Sequence, residues 1–374
     1  MEFSIHNQVL LLVFVLAMVV GAVAHKTNFC TMGAVSDWVN MGDTGRLRAW
    51  LLAMAVALAG VLALEAGGLV QFDTEMFPPY RTANFAWLRY LLGGLMFGVG
   101  MTLASGCGNK TLVRIGGGSM KSLLVLAVAS GFAYLMVWGD LYGQAFDGWI
   151  APTAVSLGSL GIASQELSAV IAGLSGVEGG RSLHLWVGAA LALGMFAFIF
   201  SNREFRHSAD NIAGGVVIGL AVVAGWYITG GSMGAAWREY AEFAAEVPSR
   251  VQVQSYTFIS PMGDTARYLM EPTSFTFINF GVMALAGVVV GSWLYALFAR
   301  RFRVEGFASR EDFVNHVIGG ALMGVGGVLA MGCTIGQAVT GFSTLAIGSM
   351  LVFVAIVAGS AATMKYLYWR AMRD

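Results

Sequence analysis

Residues 93–107 read GGLMFGVGMTLASGC, and residues 319–333 read GGALMGVGGVLAMGC. When Cys107 is aligned with Cys333 without a gap, four early glycines coincide, as does the glycine before each cysteine. Agreement of this kind indicates an internal repeat. We therefore expect two thiols at equivalent places in two structural halves. The glycines inside the repeated helix are expected to pack helices together rather than to touch a ligand.

The composition is that of a membrane protein. Of the 374 residues, 57% are apolar and 11% are charged, whereas charged residues make up about a quarter of an average soluble chain. The formal net charge is zero, which gives no electrostatic footprint for nucleic acid. The three cysteines lack CxxC or CxxH spacing, which argues against zinc, an iron–sulfur cluster or a disulfide framework. No cofactor is expected.

Apolar runs long enough to cross a bilayer predict an all-α polytopic membrane protein. We predict nine transmembrane helices, at 6–24, 47–68, 87–104, 119–138, 184–200, 211–229, 275–298, 314–331 and 344–366. The first has no Lys or Arg ahead of its apolar run and no small-residue cleavage site, so we interpret it as a span rather than a signal sequence. The polar-aromatic segments 139–183 and 230–274 are expected to carry short interfacial helices, for example from Ala235 to Glu246.

The distribution of basic residues predicts the orientation. With the amino terminus outside, 15 of the 21 Lys and Arg fall on the cytoplasmic side, and the carboxyl terminus is cytoplasmic. The third span then starts outside and the eighth inside, so the repeat is inverted, as in many transporters. We expect one transport domain, 1–374, with halves of about 1–138 and 207–374. Residues 139–206, with the unpaired fifth span, form the connector.

Four short stretches combine small residues with a Cys or Ser and precede a segment able to start a helix. These are Asn28–Ala34, Ser105–Thr111, Ile259–Asp264 and Gly332–Gly341. Non-helical backbone at membrane depth survives only where it is buried in protein or lines a wet cavity. We therefore predict that all four fold inward and meet around a central path. Helix N-termini there would attract an anion.

The candidate substrate-binding residues lie in these loops. They are Cys30, Cys107, Cys333, Gly106, Gly108, Asn109, Lys110, Gly332, Thr334, Gln337 and Ser260. Glycine lets a ligand approach the backbone closely. A neutral S–H is a weak, soft donor that would hold a polarizable sulfur anion loosely, as conduction requires. The alternatives are a cysteine that only fills space and a Lys110 that serves only the charge bias of the topology.

Three motifs, NFCTMG at 28–33, SGCGNK at 105–110 and MGCTIGQ at 331–337, resemble those of the YeeE/YedE family of sulfur transporters. The resemblance implies thiosulfate uptake across the bacterial inner membrane along an hourglass-shaped path. It also implies a relay through Cys30, Cys107 and Cys333, and a TusA-like sulfur carrier as cytoplasmic partner.

The functional hypothesis is a permease with a channel-like mechanism, because the sequence shows no motif for ATP hydrolysis and no paired carboxylates for a proton path. A transporter rather than an enzyme is expected. Two alternatives remain open. One is a membrane thiol sulfurtransferase that forms a Cys persulfide, favoured only by Lys110 near Cys107. The other is a transporter of a different sulfur or selenium anion.

Overall fold

Nine helices are long and apolar enough to cross a membrane within the residues that the computed structural model describes, 4–72, 79–177, 179–244 and 246–373. They are α1 Ile5–Lys26, α3 Gly45–Ala66, α4 Trp87–Leu103, α6 Met120–Val137, α9 Arg181–Phe200, α11 Ala209–Gly230, α14 Phe280–Phe298, α15 Arg310–Leu329 and α16 Ile347–Ala371. The predicted polytopic helical class and its nine spans are confirmed. The predicted halves and connector also contain positions 1–3, 73–78, 178, 245 and 374, which lie outside the described residues.

Helix edges differ from the prediction where a side chain caps the helix. The seventh span was expected from residue 275, but α14 begins at Phe280. The side-chain oxygen of Asn279 accepts a hydrogen bond from the Val282 amide at 3.1 Å, and residues Phe275–Phe277 form a separate 3-10 turn. A capping asparagine thus fixes the start that hydropathy alone placed too early.

Shorter elements connect the spans. The short helices are α2 Thr31–Ser36, α5 Gly108–Gly116, α7 Gly148–Ile150, α8 Leu167–Ser175, α10 Arg203–His207, α12 Ser232–Phe243 and α13 Ile259–Met270. The π-helical segments are Asp37–Met41, Gly143–Asp147 and Ile335–Gly341, and strands β1 Asn84–Phe85 and β2 Val155–Ser156 pair antiparallel. Short helices in 139–183 and 230–274 were predicted and are present; their interfacial position stays a prediction.

The long helices of one half of the chain pack against long helices of the other half. Helix α1 packs along α14 and α11 along α3; α4 packs along α16 and α15 along α6. Helix α4 also packs along α15, and α1 along α11. We match the first span with the sixth, the second with the seventh, the third with the eighth and the fourth with the ninth. The first four pairings then map onto one another in two pairs, and the last two map onto themselves. This is the packing that a two-fold repeat requires, while the inversion across the membrane stays a prediction.

Helices α4 and α15 cross backbone to backbone. A Cβ placed on Gly100 would lie 2.7 Å from the carbonyl oxygen of Gly319, and one on Gly319 would lie 2.6 Å from that of Gly100. Gly93 and Gly326 face each other in the same way, at 2.8 Å both ways. The remaining repeat glycines bring α4 against α16 and α15 against α6; they are Gly94, Gly98, Gly320 and Gly324. The expectation that these glycines pack helices is confirmed.

Candidate functional site

Three spans end in the same sharp turn, two residues before a cysteine. Asn28, Ser105 and Met331, at the ends of α1, α4 and α15, have φ angles of 52°, 56° and 59°. In each case the next amide donates to the carbonyl five residues earlier, at 2.8 to 3.2 Å. This is the Schellman termination, in which glycine is the usual left-handed residue. Asparagine tolerates this conformation, whereas it costs most other side chains roughly 1–2 kcal/mol, and the chain accepts this cost at Ser105 and Met331.

Each cysteine then stands at the start of a short helical segment. The carbonyls of Cys30, Cys107 and Cys333 accept the amide four residues later at 2.8 to 3.0 Å. The Gly33 amide donates to Cys30 Sγ at 3.4 Å. In the other two loops the Lys110 amide faces the Cys107 sulfur and the Gly336 amide faces the Cys333 sulfur. Cys30 and Cys107 thus occupy the N-cap position usually taken by Ser, Thr, Asp or Asn, and Cys333 directly precedes the N-cap residue Thr334. The thiols lie where free amides provide partial positive charge.

The three thiols form one buried cluster. Cys30 is 4% exposed, Cys107 and Cys333 are fully buried, and all three are free. Cys107 Sγ accepts the hydroxyl of Thr31, the residue after Cys30, at 3.9 Å. A Cβ on Gly108 would lie 3.3 Å from Ile259 Cδ1 and 3.9 Å from Cys333 Cβ, so α13 closes the cluster from the remaining side. The four loops predicted to fold inward therefore meet.

A cavity of about 590 Å³ reaches the cluster at Cys30; we call it the basic cavity. Its charged lining residues are Arg46, Lys110, Arg114, Arg301, Arg303 and Glu305. Arg46 is held by a two-pronged contact with the carboxylate of Asp37, which is 4% exposed. Five cations against one lining carboxylate make this cavity attractive to small anions.

A smaller cavity of about 100 Å³ lies on the Cys333 side; we call it the narrow cavity. Tyr80, Thr257, Ser260 and Met331 are among its lining residues. The Thr257 hydroxyl lies against the backbone of the loop that Cys333 begins. Burial raises the pKa of Tyr80 above its ordinary value of 10.0, so its phenol stays a neutral donor. The thiol cluster thus lies between a narrow polar cavity and a broad basic one.

A buried ion network anchors the segment that carries Tyr80. Arg81 contacts Glu65 at 2.6 Å and Glu166 at 3.5 Å, and His184 contacts the same two carboxylates at 2.9 and 2.6 Å. Burial by itself would raise the pKa of Glu166, but the His184 hydrogen bond and the Arg81 charge hold that pKa below its ordinary value of 4.5. A third cavity, of about 570 Å³, lies against this network.

The structure brings most of the predicted site residues together. Those at or beside the thiol cluster are Cys30, Cys107, Cys333, Gly106, Gly108, Asn109, Gly332 and Thr334. Lys110 lines the basic cavity and Ser260 the narrow one. Both polar atoms of the Gln337 side-chain amide are hydrogen-bonded: the nitrogen donates to the Ala330 carbonyl, and the oxygen accepts from Ser349 Oγ. Substrate contact by these residues stays a prediction.

Sequence reasoning missed Thr31, Arg46, Tyr80 and Thr257. For Thr31 the sequence did contain a signal, because the pattern Cys-Thr-x-Gly occurs at 30–33 and again at 333–336. The other three approach the cluster through tertiary packing, for which no local pattern exists.

Nine apolar helices around a buried thiol cluster, with a cavity on each side of it, define a multi-pass membrane protein of the transporter class. The chain belongs to the sulphur transport family, whose sequence profile matches residues 26–362. The resemblance to the YeeE/YedE family is thereby confirmed.

Two relatives are similar over most of their length. One, from Escherichia coli strain K12, is 25% identical over 339 residues, which cover 85% of this chain and 83% of the relative. The other, from Spirochaeta thermophila, is 24% identical over 367 residues, which cover 94% and 96%. Both are named thiosulfate transporter TsuA.

Proposed function

We propose that this chain takes up thiosulfate across the bacterial inner membrane by a permease or channel-like mechanism. The S–H groups of Cys30, Cys107 and Cys333 pass the anion along. The observation that carries the proposal is the cluster of three free, buried thiols between two cavities. The names of both relatives support thiosulfate as the substrate.

The chemistry of the cluster suits this ion. Thiosulfate has a soft terminal sulfur and three oxygens, and neutral thiols are soft, weak donors. A conducting site must bind firmly enough for entry and weakly enough for release. Amides at the starts of the short helices add partial positive charge, while the fixed cations lie in the basic cavity. The thiol cluster therefore attracts the anion without trapping it.

The direction of transport follows from the predicted orientation. With the amino terminus outside and the carboxyl terminus in the cytoplasm, the basic cavity opens to the cytoplasm. Thiosulfate enters by the narrow cavity, passes Cys333, Cys107 and Cys30, and leaves through the basic cavity. A TusA-like sulfur carrier consumes it there, which keeps the gradient inward. In this proposal, the inverted halves, about 1–138 and 207–374 joined by 139–206, supply the two accesses.

Growth on thiosulfate as sole sulfur source tests the proposal. In a strain without its own thiosulfate uptake, the wild-type chain is expected to restore growth and a Cys107→Ala variant is not. Membrane immunoblots check that both proteins are present in equal amount. Full growth with Cys107→Ala would remove that thiol from the mechanism.

Two contacts also favour the sulfurtransferase alternative. The amides of Thr31 and Lys110 face the Cys107 sulfur, and helix N-termini promote thiol reactivity. In that reaction the Cys107 thiolate attacks the outer sulfur of thiosulfate and the S–S bond breaks. The electron pair leaves with sulfite, and a persulfide remains. A stable gain of one sulfur atom in the mass of the thiosulfate-treated protein would favour this reaction, and an unmodified chain would favour the permease.

The other alternative is a transporter of a different sulfur or selenium anion. Uptake assays in which selenium anions and other sulfur anions compete with labelled thiosulfate test which anion is the substrate.

A further inference from the structure

Two threonine hydroxyls lie beside the central thiol, Cys107. Each threonine directly follows one of the other two cysteines, at 30–31 and at 333–334. The Thr31 hydroxyl donates to Cys107 Sγ at 3.9 Å. The Thr334 hydroxyl also faces Cys107, although it forms no hydrogen bond of good geometry. Thr31 is 2% exposed and Thr334 is fully buried.

Hydrogen-bonding capacity is left over at this point. Thr334 Oγ1 and both polar side-chain atoms of Asn109 are buried without a partner in the part of the chain that the structure describes. Buried polar groups in proteins nearly always have a partner, and an exception calls for an explanation. Other buried threonines here do bond a carbonyl: Thr111 that of Cys107 at 3.1 Å, and Thr340 that of Tyr256 at 2.7 Å. A threonine with a purely structural role would be expected to do likewise.

We propose that the Thr31 and Thr334 hydroxyls, with the Asn109 amide, bind the oxygens of thiosulfate beside Cys107 and thereby determine specificity. This inference rests on the proposed function. The substrate is asymmetric: its oxygens suit O–H and N–H donors, and its outer sulfur suits a thiol. One hydroxyl next to Cys30 and one next to Cys333 let the oxygens pass from Thr334 to Thr31 as the ion moves from Cys333 to Cys30. Sulfur is a weak acceptor, so a sulfur ligand without oxygens gains less from these donors.

Uptake of labelled thiosulfate by liposomes that contain only the purified protein tests the inference. Thr31→Val and Thr334→Val keep the side-chain size and remove the O–H. Each is expected to raise the KM for thiosulfate about tenfold, the effect of one lost hydrogen bond to a charged group. Thr334→Ser keeps the hydroxyl and is expected to have a KM near that of the wild type. The matched control is Thr363→Val, because that hydroxyl bonds only within its own helix, to the Gly359 carbonyl at 2.7 Å.

The KM separates binding from folding, since a merely structural role lowers the amount of active protein and hence the maximal rate. Gel filtration of each variant checks that it is folded, and the two valine variants lie on separate helical segments, so each tests the site independently. Valine variants with the wild-type KM would overturn the hydroxyl site and leave thiosulfate transport intact. Wild-type liposomes that take up no thiosulfate would instead overturn the proposed function.

Discussion

The ammonium group of Lys110 donates a 3.1 Å hydrogen bond to the side-chain oxygen of Asn28. This contact joins the left-handed turn before Cys30 to the helix that Cys107 begins. Both residues also line the basic cavity. The Lys110 side chain therefore places a positive charge beside the thiol cluster and links the two loops that carry Cys30 and Cys107.

Replacement of Lys110 by Met is expected to lower the rate of thiosulfate uptake about tenfold, since it removes both the charge and the link to Asn28. Lys110→Arg keeps the charge and is expected to retain most of the activity. Initial rates in liposomes at low and high salt measure the effect. Equal rates for the Met variant and the wild type would show that Lys110 serves topology alone.

The arginines of the loop between α14 and α15 offer a test of charge without a change in the cluster. The Arg303 amide donates to the Gly117 carbonyl at 3.0 Å, and the Met120 amide donates to the Glu305 carbonyl at 2.9 Å. These backbone hydrogen bonds hold the loop over the basic cavity. Arg301→Gln with Arg303→Gln is expected to slow uptake several-fold at low salt and little at high salt, because salt screens charge. Arg310→Gln, at the exposed start of α15, is the control. An unchanged salt dependence in the double variant would contradict the prediction.

The crossing of α4 and α15 leaves no room for a Cβ. Gly100→Ala and Gly319→Ala each force a methyl against a backbone carbonyl of the other helix. Each is expected to cost about 1–3 kcal/mol of stability, as overpacking does, and to lower the melting temperature by several degrees. Gly131→Ala in α6 is the control, since a Cβ there meets nothing within 4 Å. Thermal melts in detergent measure the difference, and equal melting temperatures would contradict the packing described.

The ion network makes stability depend on pH. The pKa of Glu166 lies below its ordinary value of 4.5 in the folded chain. The ionised carboxylate therefore stabilises the fold fully above about pH 4.5, and this contribution is lost as pH falls through the lower folded value. The facing groups are Arg81 and His184, with Glu65 beyond them.

Glu166→Gln leaves Arg81 and His184 with one carboxylate, that of Glu65, in place of two, and is expected to lower the melting temperature at pH 7 by several degrees. The difference between variant and wild type should shrink as pH is lowered from 5 toward 3. Melts across this range are the measurement. A constant difference would place the stabilising effect elsewhere.

The spans were predictable because hydropathy is a local property, and the meeting of the thiol loops followed from one repeat that contains Cys107 and Cys333. Thr31 was missed because its role depends on where its hydroxyl points, which the fold decides. Gln337 was a candidate because it lies in the motif at 331–337, yet its side-chain amide is hydrogen-bonded to Ala330 and Ser349. The network of Arg81 and Glu166 joins residues far apart in the chain, and local patterns do not reveal such contacts.

The central claim is that sulfur contacts at Cys107 carry the anion through the membrane. Uptake of labelled thiosulfate into liposomes with wild-type protein or Cys107→Ala, compared with protein-free liposomes, tests it most directly. The account predicts rapid uptake with the wild type and uptake near the protein-free level with the variant. Wild-type rates in the Cys107→Ala liposomes would contradict it.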